Sequence, residues 1–367
     1  MQLTRSYKVP GRINLIGEHT DYNLGFVLPG AVDQFLIFKV EEIEGPEFQF
    51  HSGYFNQDDS CDVFGQGAKH NWSRFFCQVI RVLSERKYPI RPIKCSFDGN
   101  LPIGAGMSSS SALSCGLIFS LDDIFDLRIS KRDMVFLASE AENSSGLDGG
   151  KMDQYSILFG EEGQLLKIDC RDYTHELVHA SLVNHAIVLF DTKVEHTLID
   201  TEYNDRHAEC KQGLAKLNAL GENISSVRDI KRKVLDAYQQ EMGPVLYRRL
   251  SYVLDENDRV ERAVAAIELE NWHEVGALMY QSHQGLQHEY EVSCEELNFI
   301  VEWSRSNEAV LGARMMGGGF GGCVIAIVDM NQIDDIVEEL KGAYKKEFGF
   351  FPGYYPVRIS RGIHRIA

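Results

Sequence analysis

No run of about 18 apolar residues occurs anywhere in the 367-residue chain, so nothing in it reads as a membrane span. The opening stretch, MQLTRSYKVPGR, lacks the apolar core of a secretory signal. Positive charge is scarce: 37 Lys and Arg stand against 54 Asp and Glu, a formal net charge of −17. Nucleic-acid binding needs a basic face, so that class is set aside. ATP is not, because a nucleotide site needs only local donors. The eight cysteines (Cys61, Cys77, Cys95, Cys115, Cys170, Cys210, Cys294 and Cys323) never form C-x-x-C, which argues against a zinc site or a redox pair. Scattered through a long chain, they read as reduced residues of a cytoplasmic protein. Internal repeats, low-complexity tracts and flexible linkers are missing too.

What remains is an ordinary globular composition. At 44% hydrophobic the chain can bury a full core, and roughly 150 residues per domain suggests two lobes. Strand-like runs (YKV, INLI, FVLPGAV, FLIFKVEEI) fill the first forty residues. Phe75, Phe76, Val79, Ile80, Val82 and Leu83 recur at helical spacing within 71–87. IKCSFDG reads as a strand, SALSCGLIFSLDDIF and 131–142 as helices, and QLLKIDC and NHAIVLFDT as strands. Long polar-rich helices are expected over 201–250 and 258–285, then the strand CVIAIVD, a helix over NQIDDIVEELKGAYKKEF and a strand-like tail, YYPVRISRGI. Strands and helices mixed without strict alternation predict an α+β fold.

Four segments carry chemistry. PGRINLIGEHTDYN (10–23) crowds Arg12, Glu18, His19 and Asp21 beside glycines. It reads as a charged hairpin turn, as a clamp whose carboxylates and imidazole bond the hydroxyls of a polyol, or as a cramped metal site. LPIGAGMSSSSAL (101–113) places Gly104 and Gly106 ahead of serines that open a helix, whose free N–H groups favour phosphate. No G-K-[ST] follows, so it is not a Walker A loop. GGGFGG (317–322) matches G-x-G-x-x-G, but a strand follows it rather than a helix, which excludes a dinucleotide fingerprint. Neither V-A-I-K nor H-R-D follows, which excludes a protein-kinase loop. It reads as a hairpin-like turn that another backbone or a phosphate approaches closely. In GLDGGKMDQYS (146–156), Asp153 stands near a helix start, where an aspartate is ordinarily a cap.

Together these segments resemble the galactokinase family of the GHMP small-molecule kinases. GRINLIGEHTDYN is similar to that family's signature, PIGAGMSSSSA to the superfamily phosphate loop, GARMMGGGFGGCVIAIV to its third motif, and GGKMDQ to the stretch bearing a catalytic aspartate. TKVEHTLIDTEYNDRHAEC (192–210) resembles a stretch with a sugar-contacting tyrosine. The resemblance implies a two-lobed α+β fold with the active site between the lobes. One lobe would span 1–180 with a returning strand in 353–367, the other 181–352. It implies transfer of phosphate from ATP, with Mg2+, to the anomeric hydroxyl of galactose. Related sugars (N-acetylgalactosamine or arabinose) and a non-catalytic sensor are the alternatives. Asp153 would be the base and Arg12 its partner. Glu18, His19, Asp21, Gly150 and Tyr203 would meet the sugar. Gly104, Gly106, Ser108, Ser109, Ser110 and Trp72 would hold the nucleotide. Ser110 and Glu142 would bind magnesium, with Glu140 as the substitute for Glu142. Partners would be galactose and ATP alone, on a cytoplasmic monomer. The chain departs from the family in a signature closer to its start, in a 142–146 segment one residue shorter, and in Asp148 and Lys151, which stand where uncharged residues are usual.

Overall fold

The computed structural model describes residues 4–144, 150–194 and 199–367. Gly146, Asp148 and residues 195–198 of the tyrosine stretch lie outside the described residues. The chain forms two compact units, the first made of Met1–Arg12, Gly30–Glu162 and Ile359–Ala367, the second of Ile13–Pro29 and Gly163–Arg358. The chain passes between them at 12/13, 29/30, 162/163 and 358/359, and the acidic part of the N-terminal motif belongs to the second unit.

The first unit is built on a six-stranded sheet. Its order is His364–Arg365, Arg5–Asn14, Pro29–Glu42, Ile93–Gly99, Phe48–Ser52 and Gln57–Cys61. Leu36, Phe38 and Val40 are buried while Ile37 and Lys39 are more exposed, the period-two alternation of a sheet with one covered face. Helix Asn71–Glu85 covers it with Trp72, Phe76, Val79, Ile80 and Leu83, all on one helical face. Helix Ser109–Phe125 buries ten residues, small serines among them, so it runs through the core. Helix Lys131–Asn143 starts where the Ser130 hydroxyl accepts from Asp133 N at 3.1 Å.

The second unit has two sheets. Four antiparallel strands run in the order Val310–Met316, Cys323–Asp329, His185–Asp191 and Gly353–Val357. The glycine run 317–322 is the connection of their first hairpin, with Met316 opposite Cys323. A smaller sheet joins Phe26–Val27 to Gln164–Asp169 and Thr174–His179.

Several elements differ from the sequence reading. The helical run expected over 201–250 is broken: Ile199–Ala219 ends at a turn where Gly221 has φ 103°, and short helices Arg232–Ala237 and Gln239–Met242 follow. Pro244, at home in a first helical turn, opens the 25-residue helix Pro244–Glu268, so a helix expected from 258 begins earlier. It stops at Leu269, and Asn271 caps a separate helix, Trp272–Gly285. The hairpin Phe48–Ser52/Gln57–Cys61 and the strand Thr174–His179 were not anticipated, because QDDSC and THELVH carry too few apolar residues. The C-terminal tail is two things. Gly353–Val357 pairs with His185–Asp191 in the second unit, whereas Ile359, His364–Arg365 and several backbone bonds between Ser360 and Ala367 tie the rest to the first. No described helix is long and apolar enough to cross a membrane.

Candidate active site

In the first unit the phosphate-type loop lies against the strand that carries Arg12. Gly11 makes this possible: a Cβ there would stand 2.8 Å from the Met107 carbonyl oxygen and 2.4 Å from Leu101 Cδ1. Arg12 N then bonds the Met107 carbonyl at 3.2 Å. The Arg12 side chain reaches Asp153 in a two-pronged pair, Nε to Oδ1 at 2.7 Å and Nη2 to Oδ2 at 2.9 Å. Its third nitrogen, Nη1, donates to the Gly106 carbonyl. The Ser108 hydroxyl donates to Asp153 Oδ2. Ser108 itself has φ 57°, a left-handed conformation costly for a serine and of the sort held at functional sites. So Arg12, Gly106, Ser108 and Asp153, chosen from separate stretches, meet at one point. Arg12 is nearly buried while the Asp153 side chain keeps 28% exposure, so the carboxylate remains reachable.

Next to this point opens a cleft of about 520 Å³. Trp72, Phe75, Ile103 and Leu113 give it apolar walls, and Ser109 and Ser110 lie at its edge. Trp72 Nε1 donates to Gln57 Oε1 at 3.0 Å, which fixes the indole. Gly104 has φ 81°, with open space where a side chain would stand.

Glu142 and Glu140 fall on different faces of their helix. Glu140 is exposed and paired with Arg86 at 2.7 Å. Glu142 accepts from Ser111 Oγ at 2.8 Å and Gln154 Nε2 at 3.0 Å. Burial pushes its carboxyl up from 4.5 to about 7. Between those two values the folded chain holds a proton that the unfolded chain has lost. The site therefore costs no stability below about pH 4.5 and its full penalty above pH 7. Glu142→Gln is expected to match the unaltered protein in Tm near pH 4.5 and to exceed it by ~3 °C or more at pH 8, at roughly 2–4 °C per kcal/mol. Thermal scans at the two pH values check this, and a gap that does not widen with pH would refute it. Ser111, not singled out in the sequence, is the serine touching Glu142, whereas Ser110 lines the cleft.

In the second unit the N-terminal motif is a loop held from beneath. Glu18 Oε1 accepts from both terminal nitrogens of Arg314 at 3.2 Å and from Gly317 N at 2.9 Å. Arg314 is wholly buried and also donates to the carbonyls of Leu15, Met315 and Asn14. Helix Pro244–Glu268 supplies further anchors: Tyr252 OH to the Glu18 carbonyl at 3.0 Å, and Glu256, fully buried, accepting from Gly17 N at 2.9 Å. His19, in the left-handed region at φ 60°, sits among aromatic rings, with Tyr203 5.4 Å away between centroids. Burial, then the Arg206 charge, lowers its pKa to about 3, so the ring is neutral. Asp21 opens a short turn, Asp21–Asn23, and is 8% exposed. Glu18, His19, Asp21 and Tyr203 thus share one region of the second unit. Gly150 stands in the first unit, separated by Lys151 from the start of helix Met152–Phe159.

Three family models match the chain: the galactokinase galactose-binding signature at residues 4–41, the GHMP kinases N-terminal domain at 74–161, and the GHMP kinases C-terminal domain at 263–346. The chain is 36% identical over 360 residues to a galactokinase of Thermosipho africanus, covering 98% of this chain and 99% of that one. Its structure resembles Lactococcus lactis galactokinase complexed with galactose, with TM-score 0.94 and 30% identity over 99% of this chain and 95% of that one. It also resembles the mevalonate kinase of Methanococcus jannaschii, with TM-score 0.70 over 98% of this chain and 99% of that one, a likeness of fold alone at 16% identity. This chain belongs to the galactokinase family of GHMP kinases.

Proposed function

We infer that the protein transfers the γ-phosphoryl group of ATP to the anomeric hydroxyl of galactose, giving galactose 1-phosphate and ADP. Full-length similarity to galactokinases supports this. The observation that carries it is the convergence of Arg12 and Ser108 on Asp153, with Arg12 also donating to the Gly106 carbonyl of the phosphate-type loop. A carboxylate so held at the head of a serine-opened helix can accept a proton where phosphate binds.

The roles divide as follows. Asp153 takes the proton of the hydroxyl that attacks phosphorus, and Arg12 fixes its orientation and balances charge. Gly104, Gly106 and Ser108 to Ser110 give the phosphates backbone and hydroxyl donors. Trp72 walls the base. Glu18, His19, Asp21, Gly150 and Tyr203 are the sugar's partners. The hard oxygens of the first unit that would hold a magnesium ion are Ser110 Oγ, which lines the cleft, and the Glu142 carboxylate, whose pKa burial raises. Bound there with ATP, magnesium supplies charge neutralisation at the phosphates.

Galactose and glucose differ only at the C4 hydroxyl, and a site built to bond one orientation rejects the other because its own buried groups lose partners. The expected result is a kcat/KM for glucose at least ~10³-fold below that for galactose. ADP release measured across a panel of free sugars tests this, with N-acetylgalactosamine and arabinose included. Equal rates on glucose and galactose would show that the sugar site is wrongly assigned.

A further inference from the structure

His19 leaves an account unsettled. Its Nε2 is buried and has no hydrogen-bond partner. A buried polar atom in that state is costly, which makes the site one to explain. The other ring nitrogen is engaged: Nδ1 lies 2.7 Å from the Tyr22 hydroxyl. That hydroxyl lies 3.0 Å from the Tyr290 hydroxyl, which in turn meets Cys210 Sγ at 3.3 Å. Each hydroxyl and the thiol carries one hydrogen, so the chain can run in only two directions. Run one way, each group donates toward the imidazole, Nδ1 accepts and the single proton of the neutral ring sits on Nε2. Run the other way, Nδ1–H donates outward and Nε2 is a bare lone pair. The Gly318 backbone acts on the ring as an acceptor, short of a formed hydrogen bond to Nε2. An acceptor there favours a proton on Nε2 and so selects the first direction. Burial first, then the Arg206 and Arg314 charges, keeps a second proton off the ring.

We propose that Tyr22 is a positioning residue for sugar recognition: its hydroxyl, backed by Tyr290 and Cys210, donates to His19 Nδ1 and so presents Nε2–H to a hydroxyl oxygen of the substrate. This rests on the reading of His19 as a sugar contact. The sugar then supplies the partner that Nε2 lacks. The loop is braced for the purpose, since Asn23 Nδ2 holds the His19 carbonyl at 2.8 Å and keeps the residue in its left-handed conformation.

The test is Tyr22→Phe, which keeps the ring and removes the hydroxyl, with Tyr290→Phe as a second variant one link further out. Nitrogen NMR of the ligand-free protein reads the tautomer without any sugar: the unaltered chain should hold its proton on Nε2, and Tyr22→Phe should show a mixture of tautomers. The KM for galactose should rise about tenfold, the effect of losing one hydrogen bond's worth of alignment. The KM for ATP should stay within about twofold, and Tyr290→Phe should do less than Tyr22→Phe. Among singly deoxygenated galactoses, one should bind both forms equally, because it lacks the hydroxyl that His19 meets. A proton already on Nδ1 in the unaltered protein overturns the proposal and leaves galactose phosphorylation standing. A Tyr22→Phe penalty equal on every deoxy sugar overturns it too, since a general structural loss would do that. Absence of galactose turnover in the unaltered enzyme would instead overturn the underlying reading of function.

Discussion

Asp153→Asn is expected to lower kcat by roughly 10²-fold or more, with the KM for galactose changed only a few-fold. The substitution preserves volume but replaces one carboxylate oxygen by an NH2 group. Arg12 offers Nε and Nη2 to the two oxygens, and Ser108 adds a third donor on Oδ2. An amide can satisfy only one side, so the other must face donor against donor. The proton acceptor is lost at the same time. Steady-state kinetics with both substrates varied will separate these effects. An enzyme retaining more than about a tenth of its kcat would remove Asp153 from the role of base.

Arg314→Met should produce the largest loss of stability, about 3–5 kcal/mol. The side chain is wholly buried, so the cost comes from what it leaves behind. Glu18 keeps one backbone donor, Gly317 N, against its charge, and the carbonyls of Asn14, Leu15 and Met315 lose theirs. Breaking a buried pair is costlier than never having made it, so Arg314→Met combined with Glu18→Gln should recover part of the loss. Urea unfolding of the two single variants and the double variant measures the coupling. Additive effects of the two changes would mean that the pair is not a unit.

The motifs that sequence reading found are those whose chemistry is local. GRINLIGEHTDYN and LPIGAGMSSSSAL each pack their donors, acceptors and glycines into one short stretch, so residue type and spacing are enough. Arg314 was passed over because its partner Glu18 lies 296 positions away. A signal was there: one arginine inside the apolar strand Val310–Met316, where a charge survives only with a built partner. Glu256 gave less to read, since a glutamate in a polar-rich helix looks solvated until Gly17 N and Ser282 Oγ are seen to converge on it. Tyr22 stood in plain view within the motif, yet its use depends on Tyr290 and Cys210 from distant helices. The α+β class followed from pattern. Helix limits within 201–285 did not, because polar composition there masks the turns at Gly221 and Asn271.

The interleaving of the two units bears on how the chain is made. Residues 5–14 leave the ribosome long before their edge partner, His364–Arg365; Tyr7 pairs with Arg365 and Lys8 with His364. The second unit, by contrast, has every one of its residues once Arg358 has emerged. The common vectorial order, in which the N-terminal body matures first, is inverted here. A ribosome that halts between Arg358 and His364 would release a chain whose second unit is finished while the strand bearing Arg12 still shows a bare edge, open to pairing with another nascent chain.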